Sequence, residues 1–328
     1  MSGRPRRGVA LITALWLVVA IAAVALQFSL DARERRVLGV NAAERGVQRA
    51  AAAGALAMVQ SRLDYALRTR LVGGNVAANA LRSSDPWLDA DSLYGGVVMV
   101  DSIPVDVRAM DGGAQLNINN LTEDEVKTFF GFLLNDYTVA DQLAQAIMDW
   151  RDVDDIPRVR GGERDGYVKA GQLALPANAL FREVQDLLLV QGMTPAIYAA
   201  AAPFLTTRGA NTINLNAAPP QVLRILPGMS DAILAQITSL RSQGRRITSV
   251  AQVMTATQRG RAMNPALAQA NAAATQRLAG RASVETTQIQ FTFTVRSAPQ
   301  AQPLRLLAVL QRSTANNLPF ASILWREW

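Results

Sequence analysis

RRGVALITALWLVVAIAAVALQFSL (Arg6–Leu30) decides the architecture of this 328-residue chain. From Val9 to Leu26 the segment is apolar except for Thr13. At 1.5 Å per residue, the roughly 22 residues from Val9 to Leu30 would form a helix about 33 Å long, which is enough to cross the hydrocarbon core of a bilayer. Arginines precede the apolar run, so the positive-inside rule places the N-terminus in the cytoplasm and exports the rest of the chain.

A removable signal peptide is disfavoured for this segment. Its apolar run is longer than the roughly 7–15 residues of a secretory signal, and no A-x-A-like cleavage site sits convincingly at its end. The helical pattern also continues without proline, with apolar residues at helical spacing such as Val47, Val59 and Leu63. We predict one helix from about Val9 to about Leu71, with a membrane-spanning first half (about 9–30) and an amphipathic second half.

The composition excludes several kinds of site. The chain has no Cys and no His, which removes disulfides, thiolate zinc sites, Cys nucleophiles and every His-based triad or metal site. The net charge of +7 raises nucleic acid or an anionic membrane as partners. Because no cluster of five or more basic residues occurs, we interpret the arginines as spread over the surface.

Two groups of predicted strands flank a helical middle. GGVVMVDSIPVDVRAMDGG (Gly95–Gly113) indicates two short strands joined by a turn. The C-terminal region from Ser283 alternates in the same way and indicates three more, in SVETTQIQFTFTVRS, PLRLLAVLQRS and ASILWREW. Residues from about Ala114 to Gly280 have helical periodicity. We therefore predict an α+β fold in which a long N-terminal helix packs on a small antiparallel sheet, with a large all-helical domain inserted between strands.

The helical middle contains a weak internal repeat. QLNINNLTEDEV (Gln115–Val126) and TINLNAAPPQVL (Thr212–Leu223) share N-[IL]-N followed by the start of a helix. In the first copy Thr122 and Glu125 predict a capping box, and in the second copy two prolines at 219 and 220 occupy the opening turn. The two copies predict related halves of one compact lobe.

The second copy continues into ILPGMSDAILAQI (Ile225–Ile237), which looks like a helix-hairpin-helix. This hairpin occurs in many DNA-binding proteins, where its backbone amides contact phosphate. Here no Lys or Arg directly follows Pro-Gly-Met-Ser to meet a phosphate. We therefore favour a structural turn between two helices.

The most chemically loaded stretch is DWRDVDDIPRVRGGERDGY (Asp149–Tyr167). Its six carboxylates are candidate metal ligands: Asp149, Asp152, Asp154, Asp155, Glu163 and Asp165. Hard cations such as Ca²⁺ take six to eight oxygen ligands, often from alternating aspartates on a loop. Four arginines interleave with the acids, so an Arg–Asp network that orders the loop is an equally open interpretation. A catalytic carboxylate pair is the third and least favoured, since no sugar- or peptide-binding cleft is indicated.

The N-terminal pattern resembles a known family. A short basic leader ending in Gly8, followed by an apolar helix from Val9, is similar to the class III signal of type IV pilins and type II secretion pseudopilins. Most members carry Glu at the fifth mature position, which is Thr13 here. That departure resembles the GspK family of large minor pseudopilins, and it suits a subunit with no neighbour above it. The strands, insertion, acidic loop and LWREW-like ending make the resemblance span nearly the whole chain.

The resemblance implies a pilin-like fold with four parts. These are a leader (1–8) cut by prepilin peptidase between Gly8 and Val9, a stem helix (9–71), an α/β domain (72–113 and 281–328) and the inserted helical domain (114–280). It also implies methylation, and calcium as the ion of the acidic loop.

The function that the resemblance implies is mechanical and not enzymatic. The protein would nucleate and cap the tip of a type II secretion pseudopilus, with a single span in the inner membrane and its C-terminal domain in the periplasm. Implied partners are the GspI-, GspJ- and GspH-like minor pseudopilins, prepilin peptidase, exoprotein substrate and the secretin, with no nucleic acid expected. Two alternatives stay open: a minor pilin of a type IV pilus, and a membrane-tethered DNA-binding protein that uses the hairpin.

Overall fold

A computed structural model describes the backbone of residues 7–72, 87, 94–209, 211–258, 265–298, 300–313 and 320–327. Its longest element is helix α1 (Arg7–Val72), whose 66 residues extend roughly 100 Å. The helix predicted from about Val9 to about Leu71 is therefore present. Gly8 and Val9 lie in its first turn, whereas residues 1–6 of the predicted leader lie outside the described residues.

The first half of α1 is exposed and apolar. Trp16 and Phe28 keep 70% and 71% of their surface accessible, and the other large apolar side chains from Ile12 to Leu30 are also exposed. By length and composition, the described part of this helix is able to cross a membrane, with a mean hydropathy of 2.2 over its most apolar window. A continuous apolar surface of this kind fits a membrane anchor.

The remaining elements alternate between strands and helices. In chain order they are β1 (Gly96–Val100), β2 (Ile103–Asp111), β3 (Leu116–Asn117), α2 (Glu123–Leu134), α3 (Tyr137–Arg151), α4 (Arg164–Lys169), α5 (Pro195–Ala201), β4 (Leu205–Thr206), β5 (Ile213–Asn214), α6 (Pro220–Leu223), α7 (Asp231–Ser242), α8 (Val250–Gln258), α9 (Pro265–Arg281), β6 (Ala282–Ser283), β7 (Gln288–Val295), β8 (Leu304–Arg312) and β9 (Phe320–Glu327). Short 3₁₀ helices cover Val184–Leu189 and Ala202–Phe204.

Five of these strands form an antiparallel sheet in the order β1-β2-β7-β8-β9, and the second half of α1 packs on one face of it. The buried stripe of α1 consists mainly of small residues: Ala51, Ala52, Ala55, Val59 and Leu63. It meets strand residues such as Phe291 and Phe293, which are fully buried. The approach is close, because a Cβ added at Gly54 would lie 2.8 Å from Cγ1 of Val100.

A polar contact fixes the rotation of α1 on the sheet. The Gln48 side chain, 2% exposed, donates from Nε2 to Oγ of Ser297 at 3.1 Å and to the carbonyl of Gln302 at 3.0 Å. Ser297 Oγ in turn donates to Oε1 of Glu44 at 2.8 Å. Because buried polar groups need these partners, a rotation of the helix that exposed Ala55 would also break this set of bonds.

The helical domain enters and leaves the sheet at one place. Asp111 at the end of β2 is paired with Ile289 in β7, and the amide of Gly112 donates to the carbonyl of Gln288 at 2.8 Å. Everything between these neighbouring strands forms the insertion, which has its own apolar core.

The predicted α+β fold class is confirmed. Two short parallel strand pairs, β3–β4 and β5–β6, are added to the helical insertion. At two residues each, they are too short to produce a detectable alternation in the sequence.

The two halves of the insertion share their local structure, as the internal repeat predicts. Thr122 and Glu125 form the predicted capping box at the start of α2, and Pro219 and Pro220 open α6. The hairpin between α6 and α7 turns at Gly228, where φ is +86°.

The Gly228 turn packs inward. A Cβ added at this glycine would lie 2.5 Å from the carbonyl oxygen of Ala274 in α9. The hairpin glycine therefore contacts protein, which favours the structural interpretation of this turn.

Candidate metal centre

The acidic loop is held at both ends by buried aromatic residues. Helix α3, capped by the Asp136 side chain, ends at Arg151 and leads directly into the loop. Trp150 stacks on Phe181 with ring centroids 6.2 Å apart and also contacts Tyr167 in α4 at 6.0 Å. These contacts fix the positions where the loop leaves α3 and where it enters α4.

Arg158 forms the centre of the loop's ion pairs. Its Nη1 lies 2.5 Å from Oδ1 of Asp149 and 2.6 Å from Oδ2 of Asp152, while its backbone amide donates to Oδ2 of Asp149 at 3.1 Å. Nε adds a longer contact of 3.3 Å to Glu123 at the start of α2. Asp149 is completely buried. The predicted Arg–Asp network is therefore present, and it neutralises the one fully buried aspartate of the loop.

A second group of carboxylates shares only one member, Asp152, with the Arg158 network. Asp152, Asp154 and Glu163 each offer an oxygen, and these oxygens lie within 4.8 Å of one another. Glu163 is 4% exposed, and neither of its carboxylate oxygens has a hydrogen-bond partner; the same holds for Oδ1 of Asp152. Burying unpaired carboxylates costs several kcal/mol unless a cation or a proton compensates them.

The pKa of the Glu163 carboxyl is raised by this environment. Burial and the negative charges of Asp149 and Asp152, with smaller contributions from Asp155 and Asp154, raise the pKa of its carboxyl to about 7. The carboxyl is thus easily protonated near neutral pH when no cation is bound.

The three carboxylates fit a hard cation by chemistry and by size. All are oxygen donors, as calcium requires, and calcium–oxygen distances are about 2.3–2.6 Å. Two ligands on opposite sides of one calcium ion would therefore be about 4.6–5.2 Å apart. The observed limit of 4.8 Å allows all three carboxylates to reach a single ion.

The other three predicted ligands lie elsewhere. Asp149 is bound to Arg158, Oδ1 of Asp155 accepts from Nδ2 of Asn178 at 3.0 Å, and Asp165 is exposed on α4. Within the described residues, the structure thus brings together three of the six predicted acids, Asp152, Asp154 and Glu163.

Two glycines in the loop were not singled out by the sequence analysis. A Cβ at Gly161 would collide with the carboxylate of Asp149, and one at Gly162 would collide with the side-chain oxygen of Gln191. That Gln191 side-chain oxygen is buried without a hydrogen-bond partner, whereas the backbone N–H of Gln191 donates to Oη of Tyr167 at 2.7 Å. The signal in the sequence was the Gly-Gly pair directly before Glu163.

The helical domain has a match among known protein families. Residues 114–210, which include the acidic loop, match the family model described as type II secretion system (T2SS), protein K. This segment is similar to protein K of type II secretion systems. The resemblance to the GspK family found in the sequence is confirmed.

The architecture agrees with that of a chain in a solved complex. The chain is similar to a chain in the crystal structure of the GspK-GspI-GspJ complex from the enterotoxigenic Escherichia coli type 2 secretion system. The TM-score is 0.61 and the identity 16%, with 84% of this chain and 94% of that chain covered. At this identity the similarity shows a common fold. No curated protein sequence matches the chain.

Proposed function

We propose that this protein is the minor pseudopilin that nucleates and caps the tip of a type II secretion pseudopilus. One observation carries the proposal: an exposed apolar half-helix continues without a break into a helix half that packs on the sheet. This arrangement supplies an anchor in the inner membrane and, after release, a stem that can pack among the stems of other subunits. The folded part would then lie in the periplasm, and the role is structural, not enzymatic.

The size and position of the helical domain support the capping role. The domain is inserted between two neighbouring strands, so it adds a lobe of more than 170 residues beside the sheet without interrupting the sheet's pairing (Gly113–Thr287). A subunit carrying such a lobe leaves little space for a further subunit above it. Thr13, on the exposed half of α1, stands where most family members carry Glu, which agrees with a subunit that has no neighbour above.

The proposed assembly partners are the GspI-, GspJ- and GspH-like minor pseudopilins. The fold similarity to a chain of a GspK-GspI-GspJ complex supports this part of the proposal.

The lobe would in addition contact exported protein. Val153, Ile156 and Val159 in the acidic loop are 88%, 74% and 98% exposed, a high proportion of apolar surface for seven residues. A photo-crosslinking residue at Val159, with Lys169 as the control position, would give adducts with exoprotein; adducts with the secretin alone would reassign that surface.

The acidic loop is proposed to bind one calcium ion through Asp152, Asp154 and Glu163. The two unpartnered oxygens of the buried Glu163 support this, because a divalent ion would compensate the charge that Arg158 leaves unpaired. When bound, the ion would supply a structural cross-link between the end of α3 and the start of α4. Its role is to order the lobe.

Processing by prepilin peptidase is the first test of this function. We would express the full-length protein with and without its prepilin peptidase and sequence the N-terminus of the membrane-bound product. The proposal requires a peptidase-dependent start at Val9. A start near residue 30, or an intact Met1 in both strains, would overturn it.

Capping is tested by removing the lobe. Because Gly112 and Gln288 are hydrogen-bonded neighbours, replacing residues 113–287 with Asn-Gly would join β2 to β7 through a two-residue hairpin. In cells that overproduce the major pseudopilin, we expect the full-length protein at one end of each filament and longer filaments with the lobeless variant. The lobeless variant should still be processed at Val9. Equal filament lengths with both proteins would contradict capping, and assembly only into a type IV pilus would favour the alternative of a minor pilin.

A further inference from the structure

We infer that Arg158 is the positioning residue of the cation site: it holds the acidic loop in the shape that leaves three carboxylates open to one ion. This inference rests on the calcium binding proposed above. Arg158 would touch a ligand and not the ion, since its guanidinium binds Oδ2 of Asp152 and a cation is repelled by the positively charged group.

Arg158 compensates the buried charge of Asp149. This carboxylate is fully buried in the last turn of α3, and Arg158 neutralises it from both its guanidinium and its backbone amide. The amide of Gly161 donates to the carbonyl of Arg158 at 3.1 Å, so the chain folds back over Asp149. A side chain at position 161 would prevent this close approach. The segment that leads to Glu163 is therefore attached to α3 through Arg158.

Arg158 also fixes the orientation of Asp152. Arg158 binds Oδ2 of this carboxylate at 2.6 Å, while Oδ1 is buried and has no partner. The guanidinium thus fixes the carboxylate through one oxygen and leaves its other oxygen without a partner, in a residue that lies close to Asp154 and Glu163. A fixed ligand costs less conformational entropy on binding than a mobile one, which is how residues beyond the ligands increase metal affinity.

The neighbouring arginines do not share this role. Arg151 donates from its guanidinium to the carbonyls of Ile118 and Leu121. Arg160 lies 3.6 Å from Asp141, about two turns before Asp149 on α3. Arg164 is exposed on α4. Among the described residues, Arg158 is the arginine whose ion pairs reach the loop's own acids.

A positioning role and simple electrostatics predict opposite changes in calcium affinity for the substitution Arg158→Gln. Removing a positive charge beside a cation site increases the attraction of the remaining carboxylates for the ion, so charge alone predicts tighter binding in Arg158→Gln. Loss of positioning predicts weaker binding, because Asp152 loses the guanidinium that fixes it and the segment before Glu163 loses its ion pair to Asp149. From the usual effect of residues that orient metal ligands, we expect about a tenfold or larger loss of affinity.

The experiment is a calcium titration of the full-length protein in detergent. Binding is measured by calorimetry and by terbium luminescence excited through Trp150. Arg160→Gln is the matched control, since it removes the same charge from the same loop. We expect wild-type affinity or tighter binding in Arg160→Gln, weaker binding in Arg158→Gln and partial recovery in Arg158→Lys, which keeps a cation but loses the fork that bridges two carboxylates.

A second variant separates positioning from misfolding. Asp149→Asn with Arg158→Gln removes the buried ion pair as a neutral pair, so the loop avoids an uncompensated charge while Asp152 still loses its fixed orientation. This double variant should show native far-UV circular dichroism together with weak calcium binding.

The outcomes distinguish the two proposals. Wild-type protein that binds no calcium would overturn the proposed cation site and this inference with it. Wild-type binding together with equal or tighter binding in Arg158→Gln would overturn the positioning role alone. Native-like binding in the double variant would do the same.

Discussion

Asn119 and Asn216 make the same three hydrogen bonds in the two halves of the helical domain. Asn119 accepts from the amide of Phe181 and donates to two carbonyls, those of Phe181 and Thr207. Asn216 accepts from the amide of Ile247 and donates to the carbonyls of Ile247 and Val284. Each asparagine is the second Asn of an N-x-N motif and ties the start of its half to a distant segment. The sequence repeat is thus a structural duplication, and only its first copy carries the acidic loop.

We predict that Asn216→Ala destabilises the helical domain by about 2–4 kcal/mol, because three bonds of 2.9 Å are lost and the buried backbone of Ile247 is left unpaired. Urea unfolding of the full-length protein in detergent, followed by tryptophan fluorescence, measures this change. Asn120→Ala is the control, since Asn120 is exposed and its side-chain amide donates to the side-chain oxygen of Asn211. Similar midpoints for the two variants would contradict the role of the N-x-N motif.

We predict that the stability of the calcium-free protein depends on pH through Glu163. Its pKa is raised from the ordinary value near 4.5 to about 7, so between these pH values the folded state binds a proton that the unfolded state has lost. With chelator present, the free energy of unfolding should fall as pH rises from about 5 to about 8, by about 2 kcal/mol. Chemical denaturation at a series of pH values measures it.

Glu163→Gln supplies the control for that pH series. It removes the titrating group but keeps the shape of the side chain, so the decline between pH 5 and 8 should become much smaller. Saturating calcium should also remove the decline in the wild type, because the bound ion takes the place of the proton. An unchanged slope in Glu163→Gln would assign the pH dependence to other groups.

The Gly-Gly pair in the acidic loop predicts a glycine-specific effect. Gly161→Ala would push a methyl group into the carboxylate of Asp149, whereas nothing lies within 4 Å of a Cβ at Gly166. We expect Gly161→Ala to lower calcium affinity about tenfold and to destabilise the domain by about 1–3 kcal/mol. Gly166→Ala should leave both quantities near the wild-type values. Calorimetry and urea unfolding on the two variants decide, and equal behaviour would refute the close packing of position 161.

The side chain of Asp111 joins the sheet to the helical domain. At the end of β2 it accepts hydrogen bonds from the Gly113 amide at 2.7 Å, the Asn214 side chain at 2.6 Å and the Thr286 hydroxyl at 2.5 Å. Asp111→Ala should increase amide hydrogen exchange around residues 112–117 and 284–289 by about tenfold or more, because three donors lose their acceptor.

The matched control for the junction is Asp106→Ala. Asp106 lies on the same strand but faces solvent, where its contact to Arg108 is 3.4 Å long. Its removal should leave exchange at the junction unchanged. Faster exchange spread evenly over the whole sheet in Asp111→Ala would indicate general destabilisation and would contradict a local junction.

The stem helix shows what periodicity predicts and what it misses. Its length, its apolar first half and its lack of a break were readable, because helix formation and membrane crossing depend on local composition. The face that packs on the sheet was readable only in part: Val59 and Leu63 are buried, but Val47 is exposed. The other buried positions are alanines, at 51, 52 and 55. Small residues are selected by how closely the sheet approaches, and that distance belongs to the tertiary structure.

The α+β class, the five sheet strands, the internal repeat and the acidic loop could be predicted from the sequence, because each depends on the order of residues along the chain. The division of the six acids is visible only in the folded protein. Arg158 and Arg160 are equivalent in sequence, yet one neutralises Asp149 and Asp152 and the other turns to Asp141. Which carboxylates remain open depends on burial and on which cation lies within hydrogen-bonding distance, and both are set by the packing of α2, α3 and α4 around the loop.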